Sequence, residues 1–500
     1  MVSTSGAIAP TEMREMDAPL QFGKVAVRGS LVTGVSQGIK IGLQFLSVVV
    51  MARLLVPEDF GLVAAVGPIV AFVALFQNLG LQQAIVQRRT ISDAELNRSF
   101  WIMAMVGLGC TAIVIGISPL IAWFYGDPRV RNIAVVAALP LLIGSMSSVP
   151  FSLLNRNLRF GRLALADVLS ALFGFLAAAS SAWSGLSYWS LLIGSAASAT
   201  VSLAAAWKWC RWTPRRPDFG IDREIMSFGA NLTGFNIVNF FSRNLDNILI
   251  GRYSGAIELG YYDRAYKLLL FPIQNIVTPL SRVMIPLLSR VQDDKQRFRE
   301  LYLQVLWALA FVTVPGVAAL IVTSGQVVDL LFGPKWAAVA PIFAWLGLAG
   351  LVQSTNNTAS WIFICQGRTK TMFHWGIYGS ATTIAAFFVG LPWGVTGVAA
   401  AYAISGYVLR LPVLAAMVRR TGPVSAFDFL LAQSLYIGSS LLAWFAFRSL
   451  PAALTGSNDL LAIVMAVALS YLLAALVTLL VPWSRSMAWD VIRKFVGVIR

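Results

Sequence analysis

The sequence predicts an all-α polytopic membrane protein: about fourteen transmembrane helices, arranged as two pseudo-symmetric six-helix lobes around a central cavity, with two extra helices at the C-terminal end. Three observations predict it. Of the 500 residues, 58% are hydrophobic and 12% charged, and the mean hydropathy is +0.74, which no ordinary soluble domain carries. Apolar stretches of about 20 residues, the length that crosses a 30 Å hydrocarbon core, recur along the chain. The polar residues inside one such stretch also return, at a fixed offset, inside a later one.

The first 28 residues contain Glu12, Glu15 and Asp17 and lack an apolar core, so they do not form a signal peptide. They read as a cytoplasmic tail, with insertion left to the first helix. The spans read from the sequence are 29–52, 60–81, 99–123, 132–153, 163–182, 187–207, 225–250, 260–288, 299–322, 337–364, 371–391, 395–417, 428–448 and 459–482. They group into an N-lobe at 29–210, a C-lobe at 211–420, an appended pair at 421–484 and a cytoplasmic tail at 485–500.

Within the first span, Ser30, Thr33, Gln37, Lys40, Gln44 and Ser47 recur at steps of three and four, one stripe on a helix. A lysine near the middle of a membrane helix costs roughly 3 kcal/mol even on lenient scales, so the stripe should face a bundle interior or a wet cavity. An offset of 199 carries Gln37, Lys40, Gln44 and Ser47 onto Asn236, Asn239, Arg243 and Asp246. The same offset carries Arg53 onto Arg252, Asp59 onto Glu258 and Gly61 onto Gly260. Matches in one register argue for an internal repeat.

With the N-terminus inside, 26 of the 38 Lys and Arg residues fall on the cytoplasmic side and six outside: Arg53, Arg129, Arg131, Arg252, Lys335 and Arg448. This positive-inside bias explains the net charge of +16 without nucleic acid, and it puts both termini in the cytoplasm. Spans one and seven then run in the same direction, so the halves are parallel repeats about an axis along the membrane normal, an arrangement transporters use to enclose a site.

Six basic residues remain inside the spans: Lys40, Arg243, Arg264, Lys267, Arg282 and Arg410. Asp167, Asp246 and Asp263 accompany them. Lys40 and Arg243 read as cavity-lining. For Arg264, Lys267 and Arg282 two readings stand: a second polar stripe with Gln274 and Thr278, or snorkelling to the interfaces beside an aromatic belt of Tyr261 and Tyr262. Asp246 is either the neutralising partner of Arg243 or a coupling-ion carboxylate. Asp167 reads as facing the inner interface. The polar run Gln353 to Thr358 suits hydrogen bonding to hydroxylated ligands or to neighbouring helices.

Cys110, Cys210 and Cys365 have no metal-like spacing, and the single histidine, His374, lies in an apolar stretch, so neither a metal nor any other cofactor is expected. The chain carries no P-loop, no nucleophile with a histidine partner and no segment long enough for a nucleotide-binding domain, which argues against an enzyme. A cationic interior implies an anionic visitor, and arginine suits phosphate through its planar fork of donors.

The residues that carry the repeat also carry a likeness. ARLLVPEDFGLVA at 52–64, NRNLRFGRLALADV at 155–168, GLSYWSLL at 185–192, GRYSGAIELGYYDRAYKL at 251–268, IPLLSRVQDD at 285–294 and LLFGPKW at 330–336 follow one another in order. In them the chain resembles the polysaccharide transporters of the multidrug/oligosaccharidyl-lipid/polysaccharide exporter superfamily, the Wzx-type flippases. The resemblance implies alternating access and export of an undecaprenyl-pyrophosphate-linked oligosaccharide across the inner membrane. It implies basic residues for the pyrophosphate, carried here onto Lys40, Arg243, Arg264 and Lys267.

The expectation is therefore a flippase. Its cavity would use those four residues with Gln37, Gln44, Asn236 and Asn239, and Asp246 or Asp263 would couple a proton or sodium ion. Membrane lipids and a polysaccharide polymerase machinery are the expected partners. A cation-coupled drug exporter of the same superfamily would want an acidic cavity. A membrane glycosyltransferase or ligase would want large external loops bearing catalytic charges. Neither matches the residue balance.

Overall fold

A computed structural model describes residues 19–77, 82, 85–86, 91–210, 212–217, 240, 243–451 and 458–499, which are helical apart from short connections. The chain divides into two compact units, Met1–Phe240 and Phe241–Arg500. The predicted lobe boundary after residue 210 falls just ahead of 218–239, outside the described residues.

The first unit holds α1 (Pro19–Leu54), α2 (Pro57–Gln77), α3 (Asp93–Tyr125), α4 (Arg129–Arg156), α5 (Phe160–Trp183) and α6 (Trp189–Trp209). Helix α1 begins at Pro19, ten residues ahead of the span read from hydropathy. The α1–α2 break is chemical: Pro57 starts α2, and Asp59, three residues into the new helix, accepts from the Val56 amide at 3.1 Å. Ser92 and Glu95 form a reciprocal capping box for α3, and Gly126 ends it in the left-handed conformation at φ 72°. Successive helices pair as hairpins, α3 with α4 and α5 with α6, while α1 lies along α5. In the α5–α6 hairpin the backbones meet at small residues: a Cβ on Gly174 would sit 2.8 Å from Ser198, and one on Gly194 would sit 2.7 Å from Ala178.

The predicted basic connections gather at one end of this unit. Asn97 pins the strand-like segment after α6 by accepting from the Arg215 amide and donating to the Arg216 carbonyl, each at 2.8 Å. Arg162 donates to the Trp209 carbonyl at 3.2 Å, and Arg156 to that of Ile85 at 2.8 Å. At the opposite end Arg129 bridges Asp127 and Glu58 at 2.7 and 2.6 Å.

The second unit continues with α7 (residues 243–253), α8 (Gly255–Ser289), α9 (Lys295–Val322), the short α10 (Ser324–Phe332), α11 (Val339–Asn357), α12 (Ala359–Cys365), α13 (Thr369–Gly390) and α14 (Gly394–Ser405). A π-helical turn, Gly406–Arg410, joins α14 to α15 (Leu411–Thr421), and α16 (Ala426–Arg448), α17 (Asp459–Leu480) and α18 (Pro482–Ile499) follow. Helix α9 is the hub, packed by α11, α16 and α17. The last two spans are therefore integral to this unit. Buried hydrogen bonds tie them in: Thr355 to Gln433 at 2.9 Å, Tyr436 with Thr478 at 3.0 Å, and Trp307 to Ser484 at 2.8 Å.

The repeat register survives in the fold. Helix α1 ends at Leu54 and α2 begins at Pro57; 199 residues on, α7 ends at Tyr253 and α8 begins at Gly255. Among the described residues ten helices are long and apolar enough to cross a membrane, or eleven if the bent pair Gly255–Leu270 and Asn275–Ser289 is one span. The predicted count of fourteen is higher for identifiable reasons. Span seven lies largely outside the described residues, and the polar run Gln353 to Thr358 dilutes span ten. Spans eleven and twelve form one continuous stretch, Thr369–Thr421, folded as a hairpin at Leu391–Trp393.

Candidate functional site

In the first unit the site is a face of α1. Lys40 is half-buried, its ammonium 3.8 Å from the Asp167 carboxylate on α5. Asp167, expected at the interface, thus serves as the counter-ion of Lys40. Gln37 and Gln44, one turn before and after Lys40 on the same side, are exposed. At about 100° per residue, Val35, Ile39 and Leu46 lie between roughly 100° and 180° round the helix from those three residues and are also exposed, at 64%, 47% and 46%, as are Gly34, Gly38, Gly42 and Phe45 between them. Helix α1 therefore has one broad uncovered arc, polar along Gln37 and Gln44 at one edge and apolar along Val35, Ile39 and Leu46 at the other, the apolar edge suited to acyl chains and the polar edge to water or a ligand.

In the second unit the charges are organised around two buried carboxylates. Asp246 on α7 accepts from the Tyr262 hydroxyl at 2.8 Å and from the Asn247 amide at 2.8 Å. No ion pair joins it to Arg243 among the described residues; in place of that guanidinium, one of the two expectations for Asp246, the carboxylate has the hydrogen bond of a neutral phenol. Arg243 itself is exposed, with no hydrogen-bond or ion-pair partner among the described residues. Asn236 and Asn239, expected to extend this stripe, lie outside the described residues.

Asp263 on α8 receives the Arg264 guanidinium at 2.5 Å and the Lys267 ammonium at 2.9 Å. Arg264 is 6% exposed, which excludes snorkelling for that residue, whereas the Lys267 side chain is 53% exposed. The triad carries one net positive charge and presents it at Lys267. Tyr262, read as part of an aromatic belt, is 1% exposed and stacks on Tyr266 with centroids 6.0 Å apart, so the belt reading is corrected for it. Its spacing, four residues from Tyr266 on the inward face of α8, was the available signal.

The polar run of α11 divides by partner. Thr355 and Thr358 serve the interior, bonding Gln433 and Tyr302 at 2.9 and 2.7 Å. The side-chain oxygens of Gln353 and Asn356 are buried without a hydrogen-bond partner. One further cation was counted within the spans and given no role: Arg410, in the π-helical turn. Its guanidinium lies 4.3 Å from the Tyr402 ring centroid and donates to the Thr383 hydroxyl at 2.7 Å and the Tyr402 carbonyl at 2.5 Å. The three cysteines are free, and no cluster of metal-ligating side chains occurs among the described residues.

Residues 50–341 match the sequence pattern of the family described as polysaccharide biosynthesis protein. Among curated relatives, the chain is 24% identical over 371 residues to the lipopolysaccharide biosynthesis protein WzxC of Escherichia coli, covering 73% of this chain and 75% of that one. It is 26% identical over 353 residues to the succinoglycan biosynthesis transport protein ExoT of Rhizobium meliloti, covering 70% and 71%. Among solved structures, the fold matches the inward closed conformation of the lipid II flippase MurJ with a TM-score of 0.73 at 15% identity, over 92% of this chain and 100% of that one. It also matches the inward-facing conformation of a multidrug resistance MATE family transporter, with a TM-score of 0.59 at 15% identity, over 77% and 98%. With more than half its length matching that family pattern, the chain belongs to the polysaccharide biosynthesis protein family.

Proposed function

We propose that the protein is a flippase that carries an undecaprenyl-pyrophosphate-linked oligosaccharide, a lipopolysaccharide or exopolysaccharide repeat unit, across the inner membrane by alternating access. The observation that carries this reading is the broad uncovered arc of α1, polar along Gln37, Lys40 and Gln44 at one edge and apolar along exposed Val35, Ile39 and Leu46 at the other. A helix with lipid on one side needs an aqueous or ligand surface on the other, because bare polar groups in hydrocarbon cost several kcal/mol each. The relatives' names, in lipopolysaccharide biosynthesis and succinoglycan transport, support a saccharide cargo.

In this reading Lys40 in the first unit and, separately, Arg243 and Lys267 in the second are the cations assigned to the pyrophosphate, and Arg264 holds Asp263 so that Lys267 is presented outward. Gln37, Gln44, Asn236 and Asn239 hydrogen-bond the sugars. Asp246 is the carboxylate assigned to proton or sodium coupling, since Asp263 is already bridged by two cations. Binding energy for a phosphate comes from charge-assisted hydrogen bonds, roughly twice as strong as neutral ones.

The test is translocation of a labelled lipid-pyrophosphate oligosaccharide in proteoliposomes. Lys40→Ala and Arg243→Ala should each cut the initial rate by at least tenfold, with the protein still folded in the bilayer. Rates equal to the unaltered protein for both variants remove these roles, and covalent change of the lipid in place of movement removes the reading itself.

A further inference from the structure

One end of the first unit gathers exposed cations from three helices. Arg98 lies in the second turn of α3, Arg162 in the first turn of α5 and Lys208 in the last turn of α6, with Arg215 and Arg216 just beyond α6, and all five are exposed. The acids carried by the same segments are Asp93 and Glu95, and both are engaged: Asp93 lies 3.7 Å from Arg215, and Glu95 closes the capping box with Ser92. Contacts between the elements bring these cations to one place. Asn97 and Trp101 of α3 hold the segment after α6, and Arg162 of α5 donates to the Trp209 carbonyl at the end of α6.

The positive-inside bias accounts for the sign of this charge. It does not account for the fixing of the backbone that carries it. Residues 212–217 are not helical, yet three hydrogen bonds fasten the peptide groups of Arg215 and Arg216 to α3. Asn97 accepts from the Arg215 amide and donates to the Arg216 carbonyl, each at 2.8 Å, and the Trp101 indole donates to the Arg215 carbonyl at 2.9 Å. Asn97 is 5% exposed, so its amide is committed to this segment. Pro214 and Pro217, on either side, have φ fixed by their rings and narrow its freedom further. The arginine side chains stay exposed, that of Arg215 by 74%.

Aromatic residues set the depth of the cluster. Phe100 packs edge-on against three indoles, Trp101, Trp207 and Trp212, at centroid distances of 5.4, 5.7 and 5.9 Å. These indoles and that of Trp209 are half-buried, as in a belt at a membrane–water interface. Cations interleaved with such a belt stand level with lipid headgroups, and a soluble acidic protein would have to displace lipid to reach them.

We propose that the start of α3, the end of α6 and the fastened segment 212–217 form a binding site for the phosphate of an anionic phospholipid of the surrounding leaflet, with Arg215 and Arg216 as its ligands. This lipid is a constituent of the bilayer and not the translocated molecule, so the site does not depend on the flippase reading. Arginine suits the phosphate through its fork of donors, and basic clusters beside membrane helices attract anionic headgroups. Because the backbone is fixed before the lipid arrives, less order has to be imposed on binding.

Native mass spectrometry of the full-length protein in detergent, titrated with dioleoyl phosphatidylglycerol and, as the zwitterionic control, dioleoyl phosphatidylcholine, gives a Kd for each lipid. Arg215→Gln with Arg216→Gln should raise the phosphatidylglycerol Kd about tenfold and leave that of phosphatidylcholine unchanged. Asn97→Ala, which keeps every cation and releases the segment, should weaken phosphatidylglycerol in the same sense. Should that variant not fold, Trp101→Phe, which removes one of the three bonds and keeps a ring, takes its place with the same expectation. Arg131→Gln with Lys335→Gln removes the same net charge from exposed positions assigned to the outer side and should leave both lipids unaffected. An equal loss in that control pair reduces the effect to net charge and overturns the proposal. A releasing variant that folds and binds phosphatidylglycerol as before also overturns it, since the site is then not a built one. If the Arg215, Arg216 variant loses binding of polyglutamate and keeps that of phosphatidylglycerol, the surface belongs to an acidic protein and the lipid site fails.

Discussion

The hydroxyl of Tyr471 on α17 donates to the carbonyl of Val312 on α9 at 2.6 Å. Pro315 stands three residues further along α9 and has no amide to give its own helix. The donor that Pro315 lacks would have served the Phe311 carbonyl, next to the one Tyr471 reaches, so the bond from α17 reinforces the turn beside the break. The neighbouring Gly316 leaves the room: a Cβ there would sit 3.0 Å from the Tyr471 hydroxyl. The appended helix is thus a support for the hub of its unit.

Tyr471→Phe should therefore destabilise the protein by about 0.6–1 kcal/mol, the range for an interhelical hydrogen bond in a membrane protein. Gly316→Ala should cost a similar amount by displacing the same hydroxyl. The double variant should cost less than the sum, as expected for residues in contact. Thermal unfolding in detergent checks this, and strict additivity would show that Gly316 and Tyr471 act independently.

Asp263→Asn leaves the buried Arg264 without its anion. Removing one partner of a buried pair costs about 3 kcal/mol or more. The expected outcome is a clear fall in folded yield and melting temperature, partly recovered by the double variant Asp263→Asn with Arg264→Met. Size-exclusion profiles and melting curves measure both.

Asp246→Asn keeps an oxygen for the Tyr262 hydroxyl and removes the charge. If Asp246 carries the coupling ion, transport driven by a proton or sodium gradient should fall to the level seen without a gradient, while gradient-independent exchange of the same lipid persists. Tyr262→Phe should retain most of the gradient response. Flux measured with each gradient imposed separately decides the matter.

The Arg129 guanidinium, hydrogen-bonded to Asp127, holds that carboxyl below the usual carboxylate range, against a smaller opposing effect of burial. Because the folded-state value is the lower one, the clasp stabilises fully above the unfolded value of about 3.9. Its contribution is lost as the pH falls through the folded value. Asp127→Asn should thus melt below the unaltered protein at pH 6, with the gap narrowing as the pH falls below the usual carboxylate range; a gap that does not change with pH would show that charge plays no part.

Much of the fold was legible because it depends on local chemistry. The apolar spans 60–81, 99–123 and 132–153 fall on α2, α3 and α4, while the ends set by Pro57, the Ser92–Glu95 box and Gly126 lie a few residues beyond them, where polar and turn residues end the hydropathy signal before the helix stops. The site was legible only as a set of faces. Periodicity put Gln37, Lys40 and Gln44 on one side of a helix and Arg264 with Lys267 on another. It did not reveal that Asp167 meets Lys40, that Tyr262 displaces Arg243 as the partner of Asp246, or that Arg410 lies in a π-helical turn.

By itself, then, the sequence determined a membrane-spanning all-helical chain, its repeat and the sign of its interior charge, since span length, hydropathy and residue spacing act along the chain. Tertiary structure alone decided which of those charges are cancelled. Arg264 is paired with Asp263, whereas Arg243 stands exposed and Arg410 rests on neutral acceptors and a ring. The physical reason is range: helical periodicity fixes a side chain's direction from its own backbone, but the balance between desolvation and pairing depends on what a different helix brings within about 4 Å.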